Sequence, residues 1–496
     1  MRRAAFIFTL IILLALTALP APAAAQVRVW SAPWSETEID ALGDALSEAW
    51  THGLDPADYA DPAALAAMPR GRARDAAARA AWFAYAEDLA FGRVDPRDLD
   101  PDWTTPVRDQ DLMVWYARAR DGLGIVESLE ALAPQHPDYQ ALRAALITLA
   151  AAPDAPGAIG LGPALGAGDR GPRVDALRAR LHELGVLADP GQPGLEFDAV
   201  LESALIRFQA RRNLTADGRA GAATLAELDA GADRRAGQLR ANLERWRWLP
   251  ADLGDRHIRV NIADYRLEAW AGGRVERVHE TQIGSTYAST PVFSEAMSIV
   301  EIHPWWYTPG GLGARWVRTF RTNPSYAYAN GYHLVDLETG ARVNAYTADW
   351  SGASRYRVIQ QPGPNNAMGE VKFLFPNRHN VYIHDTPHRD GFALSRRDDS
   401  SGCVRVGDPR ELAIWVLQGE GWSPADVRAA FAEGETVRVR LEHEIPVHIL
   451  YFTAVTDRLG AVRFVLDVYE RDQRLIDALD GVMPAPALEE TGAGAL

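Results

Sequence analysis

The sequence predicts a multidomain α+β protein: a helical N-terminal domain, a small three-helix module, and a β-rich C-terminal domain carrying an aromatic-rich insertion. Three observations predict it. Apolar residues recur at helical spacing to about residue 250, and the period then changes to the alternation of strands. A Pro-, Gly- and Ala-rich stretch at 151–164 separates two helical blocks. The segment 304–362 is too long and too aromatic for a simple loop. A length of 496 residues leaves room for two to four domains.

The chain opens on Met1-Arg2-Arg3 and an apolar run, followed by Pro20, Pro22 and Ala23-Ala24-Ala25. A basic start, a short apolar stretch and small residues read as a secretory signal peptide over 1–25, with cleavage after Ala25. The run is short for a membrane span and ends in helix-breaking prolines, which disfavours an uncleaved anchor.

Residues 26–150 read as a helical scaffold domain. Ile39, Leu42, Leu46 and Trp50 share one helical stripe, Trp82, Tyr85 and Leu89 another, and Tyr139, Leu142, Leu146 and Leu149 a third. Gly53 and Gly92 stand where C-caps belong. After the linker at 151–164, the stripes Val174, Leu177, Leu181, Leu184 and Phe197, Leu201, Leu205, Phe208 are followed by an Asp217-Gly218 turn and a third short helix. These make a compact module over 165–230. An amphipathic linker helix is expected at 231–256. From 257 to 482 the pattern is β-rich, with a Gly272-Gly273 hairpin signal, β-type runs at 280–283, 297–302, 381–384 and 436–441, and a helix at 409–418. The insertion at 304–362 reads either as a lid over a site or as a subdomain with its own core, and the two are compatible. The tail 483–496 is Pro-, Ala- and Gly-rich and is expected to be disordered.

Composition narrows the chemistry. A formal net charge of −15 argues against a nucleic-acid surface. Lys372 is the only lysine, and the arginine and alanine excess reads as coding bias rather than function. The single cysteine, Cys403, cannot form an internal disulfide. In an exported chain such a thiol is either buried and inert or reactive.

The reactive reading gains support from its neighbours. Tyr382-Ile383-His384-Asp385-Thr386-Pro387 ends a β-type run, and Ser400-Ser401-Gly402-Cys403-Val404-Arg405 follows. Cysteine acyl transfer needs a thiolate, a base within reach, and main-chain N–H groups for the oxyanion. His384 supplies the base, Gly402 an open backbone beside the nucleophile, and Arg405 a positive charge. Nineteen residues from His384 to Cys403 allow a loop that brings the two together.

These motifs resemble the L,D-transpeptidase family, whose YkuD-type catalytic domain carries a histidine after a strand and then S-x-G-C-x-R. Many members have histidine where this chain has Ser401. Other stretches are similar to the large multidomain Gram-negative members: Leu243-Glu244-Arg245-Trp246-Arg247-Trp248, Thr290-Pro291-Val292-Phe293, Gln361-Pro362-Gly363-Pro364-Asn365-Asn366, and Gly369-Glu370-Val371-Lys372-Phe373. The module at 165–230 resembles a peptidoglycan-binding domain through G-D-R-G-P-R-V-D-A-L, A-L-I-R-F-Q and D-G-R-A-G-A-A-T-L. The resemblance implies a periplasmic enzyme with Cys403 as nucleophile and His384 as general base. Asp385 would orient the histidine through its carbonyl or its side chain. Tyr382, Ser401, Gly402 and Arg405 would support the site, Arg405 either by binding substrate or by bracing the loop. Lys372, Trp305 and Asn366 are candidates for substrate contact, Lys372 being more readily read as an ordinary surface charge.

The implied reaction has two steps. Cys403 attacks the third residue of a peptidoglycan tetrapeptide stem and releases D-alanine, and a second stem's amine then resolves the thioester into a 3→3 cross-link. The implied partners are peptidoglycan stems and glycan, and carbapenem inhibitors that acylate Cys403, with room for other wall-synthesis proteins. No cofactor is implied. Other acceptors, such as water or a lipoprotein lysine, stay open, as does a non-catalytic wall-binding scaffold. A papain-like order would put cysteine before histidine, the reverse of this chain. A metal site using His384 and His388 is disfavoured, because Pro387 prevents a helix from presenting both on one face.

Overall fold

In the computed structural model, residues 32–101, 103–151, 158–160, 162–457 and 460–482 are described. The expected leader, half of the 151–164 linker and the tail lie outside them. No helix among the described residues is long and apolar enough to cross a membrane.

The chain divides into two compact units. The first comprises residues 32–48, Pro56–Asp88 and Gln110–Ala133. Its first helix, Glu36–Ser47, starts with a capping box at Ser35 and Glu38 and buries Ile39, Leu42 and Leu46. Trp82 and Tyr116 meet edge to face in its core, 5.2 Å between ring centroids.

The second unit takes Ala49–Asp55, Leu89–Asp109 and everything from Pro134 on. The helical region at 26–150 is therefore not one packing unit. The spine of this unit is the helix Ala232–Arg247, which was expected to be a linker helix. It is instead deeply buried. Glu244 and Arg247 are fully buried, three residues apart, and paired at 2.6 Å. Glu244 accepts the Val94 N–H at 2.8 Å, and Arg247 donates to the His52 carbonyl at 2.8 Å and to the Tyr139 hydroxyl at 3.2 Å. Such a pair is tolerable only because its remaining donors and acceptors are met. Gly92 makes the approach possible, since a Cβ there would lie 2.6 Å from the Glu244 carboxylate.

The three-helix module is present as Pro172–Glu183, Ala199–Arg211 and Ala222–Leu228. Val174, Leu177, Leu181, Phe197, Leu201, Leu205 and Phe208 form its core. It docks onto the C-terminal domain: Arg212 lies over the Phe464 ring, 5.2 Å from its centroid, and the Asn213 amide donates to the Ala263 carbonyl at 3.3 Å.

The C-terminal domain is built on nine strands: β1 (Arg256–Asn261), β2 (Arg266–Ala271), β3 (Arg274–Gly284), β4 (Phe293–Ile302), β9 (Val371–Leu374), β10 (Ile383–His384), β11 (Asp398–Ser400), β12 (Val404–Val406) and β13 (Val437–Leu450). They run in the order β11-β3-β12-β10-β9-β4-β13-β1-β2, and β2 pairs back onto β3, which closes the sheet into a barrel. Inside it, directly paired residues are apolar: Ile302 with Val371, Val300 with Phe373, Phe373 with Ile383, and Ile383 with Val404. All of these belong to one buried core, where each large side chain contributes roughly 1.5–3 kcal/mol.

Between β4 and β9 lies the insertion. It carries strands β5 (Trp306–Tyr307), β6 (Tyr332–Asp336), β7 (Arg342–Val343) and β8 (Tyr356–Gln360) in a sheet of order β5-β8-β6-β7, with the helices Gly310–Thr322 and Pro324–Ala329. Trp306, Phe320, Tyr332, Leu334, Tyr356 and Val358 form its own core, and Tyr382 beside β10 packs against that core. It is thus a subdomain with its own interior, seated against the start of the strand that carries His384.

Candidate active site

β10 is two residues long, yet it is held on both sides. Its partner β9 is antiparallel, with His384 opposite Lys372. Its partner β12 is parallel, with His384 opposite Arg405. Further pairings put Glu301 opposite Lys372 and Gln282 opposite Arg405. Directly paired residues share a sheet face, so Glu301, Lys372, His384, Arg405 and Gln282 form one polar row across the outside of the barrel. Tyr382 and Cys403 lie one pleat away on the same face. The only thiol, in the turn just ahead of β12, is therefore a diagonal neighbour of the predicted base on β10. No hydrogen bond joins them among the described residues. The thiol donates to the Asn380 carbonyl at 3.9 Å.

The histidine is fixed from one side. Its Nδ1 hydrogen-bonds the main-chain carbonyl of Asp385. A carbonyl can only accept, so Nδ1 carries the proton and Nε2 keeps its lone pair. Burial, with the charges of Arg405 and Lys372 acting in the same direction, drives the imidazole down to about 3. It is neutral near pH 7 and ready to accept a proton. The Asp385 side chain does something else. It accepts the Glu370 N–H at 2.8 Å and the Arg389 guanidinium at 2.9 Å. Gly369, at φ +60°, lies so close that a Cβ would fall 2.3 Å from that carboxylate.

The nucleophile turn is clamped by hydroxyls. Ser400 Oγ donates to the Cys403 carbonyl at 2.6 Å and accepts the Gly402 N–H at 3.2 Å. Thr290 Oγ1 donates to the Gly402 carbonyl at 2.9 Å and accepts the Gly284 N–H at 2.8 Å. Gly402 sits at φ +107°, a conformation that strains any residue with a Cβ. The Cys403 N–H meets no acceptor among the described residues and is free to serve an oxyanion. Burial pushes the Cys403 thiol up, while hydrogen bonds from the Tyr382 main chain and hydroxyl and the Arg405 charge pull it back.

Arg405 donates to Gln282 at 2.9 Å and pairs with Asp399 at 3.3 Å. Lys372 is not an ordinary surface charge: its ammonium pairs with Glu301 at 3.1 Å and donates to the Trp305 carbonyl at 3.2 Å, at the root of the insertion. Trp305 lies under Arg342, 5.0 Å from ring centroid to guanidinium. Ser401 is exposed. Asn366 departs from its expected role. It is buried, and its amide donates to the Pro304 and Gln361 carbonyls at 3.0 and 2.9 Å, which makes it a strut of the loop rather than a group facing substrate. Sequence reasoning missed Thr290, Ser400, Gly369 and Asn380 as parts of the site. Thr290, Ser400 and Gly369 stand inside the motifs that carry the resemblance. Asn380, at φ +54°, has the left-handed backbone that asparagine tolerates.

Residues 255–439 match the model of the L,D-transpeptidase catalytic domain, the span that holds this row and this turn. The chain carries an L,D-transpeptidase catalytic domain. Ahead of the transpeptidase domain, residues 25–146 match a scaffold domain and residues 170–228 a "Putative peptidoglycan binding domain". A Haemophilus influenzae protein described as "Putative L,D-transpeptidase" is 30% identical over 244 residues, which are 48% of this chain and 48% of that one. The chain thus matches about half the length of this curated relative. Among solved structures, the L,D-transpeptidase from Xylanimonas cellulosilytica aligns over 60% of this chain and 100% of its own at 17% identity, with a TM-score of 0.20. An L,D-transpeptidase from Stackebrandtia nassauensis aligns over 60% and 97% at 12% identity, with a TM-score of 0.21.

Proposed function

We propose that this protein is exported to the periplasm and forms 3→3 peptidoglycan cross-links, with Cys403 as nucleophile and His384 as general base. One observation carries the reading: a lone thiol, on a glycine turn held by two hydroxyls, lies on the same sheet face as a neutral imidazole whose Nε2 is free. The pair rests as thiol and imidazole rather than as an ion pair. His384 Nε2 takes the thiol proton as Sγ attacks the carbonyl of the third stem residue. The diagonal separation closes as the donor stem docks, since catalytic hydrogen bonds in empty sites commonly tighten with substrate. The Cys403 N–H receives the developing oxyanion. The imidazolium then protonates the leaving D-alanine amine, and a thioester remains. The insertion, seated on Tyr382, keeps water from the thioester.

The test is incubation of the mature protein with disaccharide tetrapeptide containing meso-diaminopimelate, followed by mass analysis. Dimer formed with loss of D-alanine supports the reading. Tripeptide monomer alone would make the enzyme a carboxypeptidase. Dimer formed at the parental rate by Cys403→Ser would remove Cys403 from the chemistry. Absence of a carbapenem adduct on folded protein would point to a scaffold.

A further inference from the structure

A file of alternating charges runs in from the surface and ends on the residue that holds His384. Arg410, on the helix Pro409–Leu417, grips the Glu370 carboxylate with two donors, at 2.7 and 2.8 Å. Arg389 reaches Glu370 at 3.5 Å and Asp385 at 2.9 Å. The order from outside to inside is thus Arg410, Glu370, Arg389, Asp385. The Arg389 side chain is 55% exposed and that of Asp385 only 1%. The local sequence makes the meeting possible. The chain bends at Pro387, the His388 N–H donates to Thr386 Oγ1 at 3.2 Å, and Arg389 comes back onto the residue four places before it.

A carboxylate buried this deeply is tolerable only when its charge is met. Asp385 is served at one oxygen alone. Oδ2 accepts the Glu370 N–H and Arg389, while Oδ1 is buried and meets no donor among the described residues. Arg389 is the one cation within ion-pair distance of it among the described residues. Asp385 has two further ties. Its N–H donates to the Val371 carbonyl at 2.9 Å, and its own carbonyl accepts from His384 Nδ1. With the N–H and the carboxylate both fastened, the Cα is fixed, and the carbonyl it carries is held toward the imidazole.

We propose that Arg389 is a positioning residue for the base: by holding the Asp385 carboxylate it keeps the adjoining carbonyl on His384 Nδ1, and so keeps the ring in the orientation and tautomer that acylation needs. The inference rests on the function proposed above. Arg389 acts through Asp385 and not on the substrate, since its guanidinium is already shared by two carboxylates. A guanidinium removed from this place strands a buried anion beside the base, and the turn relaxes to relieve it. The base then loses its aim, and small errors of aim are expensive in rate.

The experiment follows meropenem acylation of the full mature chain by intact mass over a range of inhibitor concentrations, which separates the maximal rate from the half-saturating concentration. Arg389→Gln is expected to lower the maximal rate about tenfold, the effect of losing one charge-assisted contact, with the half-saturating concentration within about twofold of the parent. Arg389→Lys keeps a cation at the site and is expected to recover most of the rate. Asp385→Asn has already lost the charge that Arg389 serves, so adding Arg389→Gln to it is expected to cost less than about a further twofold. A full further tenfold in the double variant would overturn the proposal, because Arg389 would then act elsewhere. So would an unchanged maximal rate with a raised half-saturating concentration, the mark of a substrate contact. If Arg389→Gln does not fold, Arg410→Gln reads the same file one link further out: about a threefold loss of maximal rate is expected, and a parental rate would overturn the proposal. A parent that does not react with meropenem would instead bring down the underlying function, and this inference with it.

Discussion

Thr290→Val tests how far the nucleophile turn depends on one hydroxyl. Valine nearly matches threonine in shape, so the fully buried site keeps its packing. What is lost is Oγ1, the donor to the Gly402 carbonyl and the acceptor of the Gly284 N–H. Both groups are then stranded, and each stranded buried group costs about 1–3 kcal/mol. A total of about 3 kcal/mol would lower the melting temperature of a domain this size by roughly 6–12 °C. To the extent that Gly402 relaxes to recover a partner, the cost moves from stability to catalysis, because the Cys403 N–H turns away from the oxyanion position. Rates of meropenem acylation by intact mass and thermal melts of the same preparations measure the two shares. Thr290→Ser keeps the hydroxyl and is expected to retain most of both. Parental melting and parental acylation in Thr290→Val would refute the clamp.

Other changes have equally definite outcomes. Gly402→Ala forces a side chain onto φ +107° and is expected to slow acylation 10- to 100-fold, from a strain of about 1–3 kcal/mol, read in the same mass assay. Tyr382→Phe removes a hydrogen bond that holds the Cys403 thiol down, so the midpoint of a thiol-alkylation pH profile is expected to move upward. His384, His136 and His257 are each depressed by burial, to about 3, 4 and 4. The unfolded chain therefore binds more protons below pH 6.5 than the folded one, and stability falls as pH falls. Each histidine is expected to cost roughly 2 kcal/mol between pH 6.5 and 5, visible in denaturant melts. Gly369→Ala sets a methyl against the Asp385 carboxylate and is expected to free Arg389 and destabilise the domain by about 1–3 kcal/mol in those melts.

The fold class was legible because amphipathic helices and alternating strands declare themselves by period, as the module's stripes do. The site strands did not. β10 and β12, of two and three residues, are too short to show a period, and only the chemistry of His384 and Cys403 drew attention to them. β13 was read only to Leu441, because Glu442-His443-Glu444 and Pro446 interrupt the alternation. The structure absorbs them in a register shift between Arg440 and Ile445, and the strand runs on to Leu450. The helix Ala232–Arg247 looked amphipathic because its buried face carries Glu244 and Arg247, charges that composition alone assigns to solvent. The polar row was invisible for a topological reason. Glu301, Lys372, His384, Arg405 and Gln282 are far apart in sequence and become neighbours only when the barrel closes.

The insertion leaves the barrel after Ile302 and re-enters at Val371, and these two residues face each other across adjacent antiparallel strands. Its two stems are therefore about one strand spacing apart, roughly 5 Å. A segment hung from such a narrow base can be lengthened, shortened or exchanged for a tight turn at little entropic expense and without disturbing the register below. Evolution can thus replace the canopy while the hearth stays in place, and one barrel can acquire new tastes by changing what hangs over it.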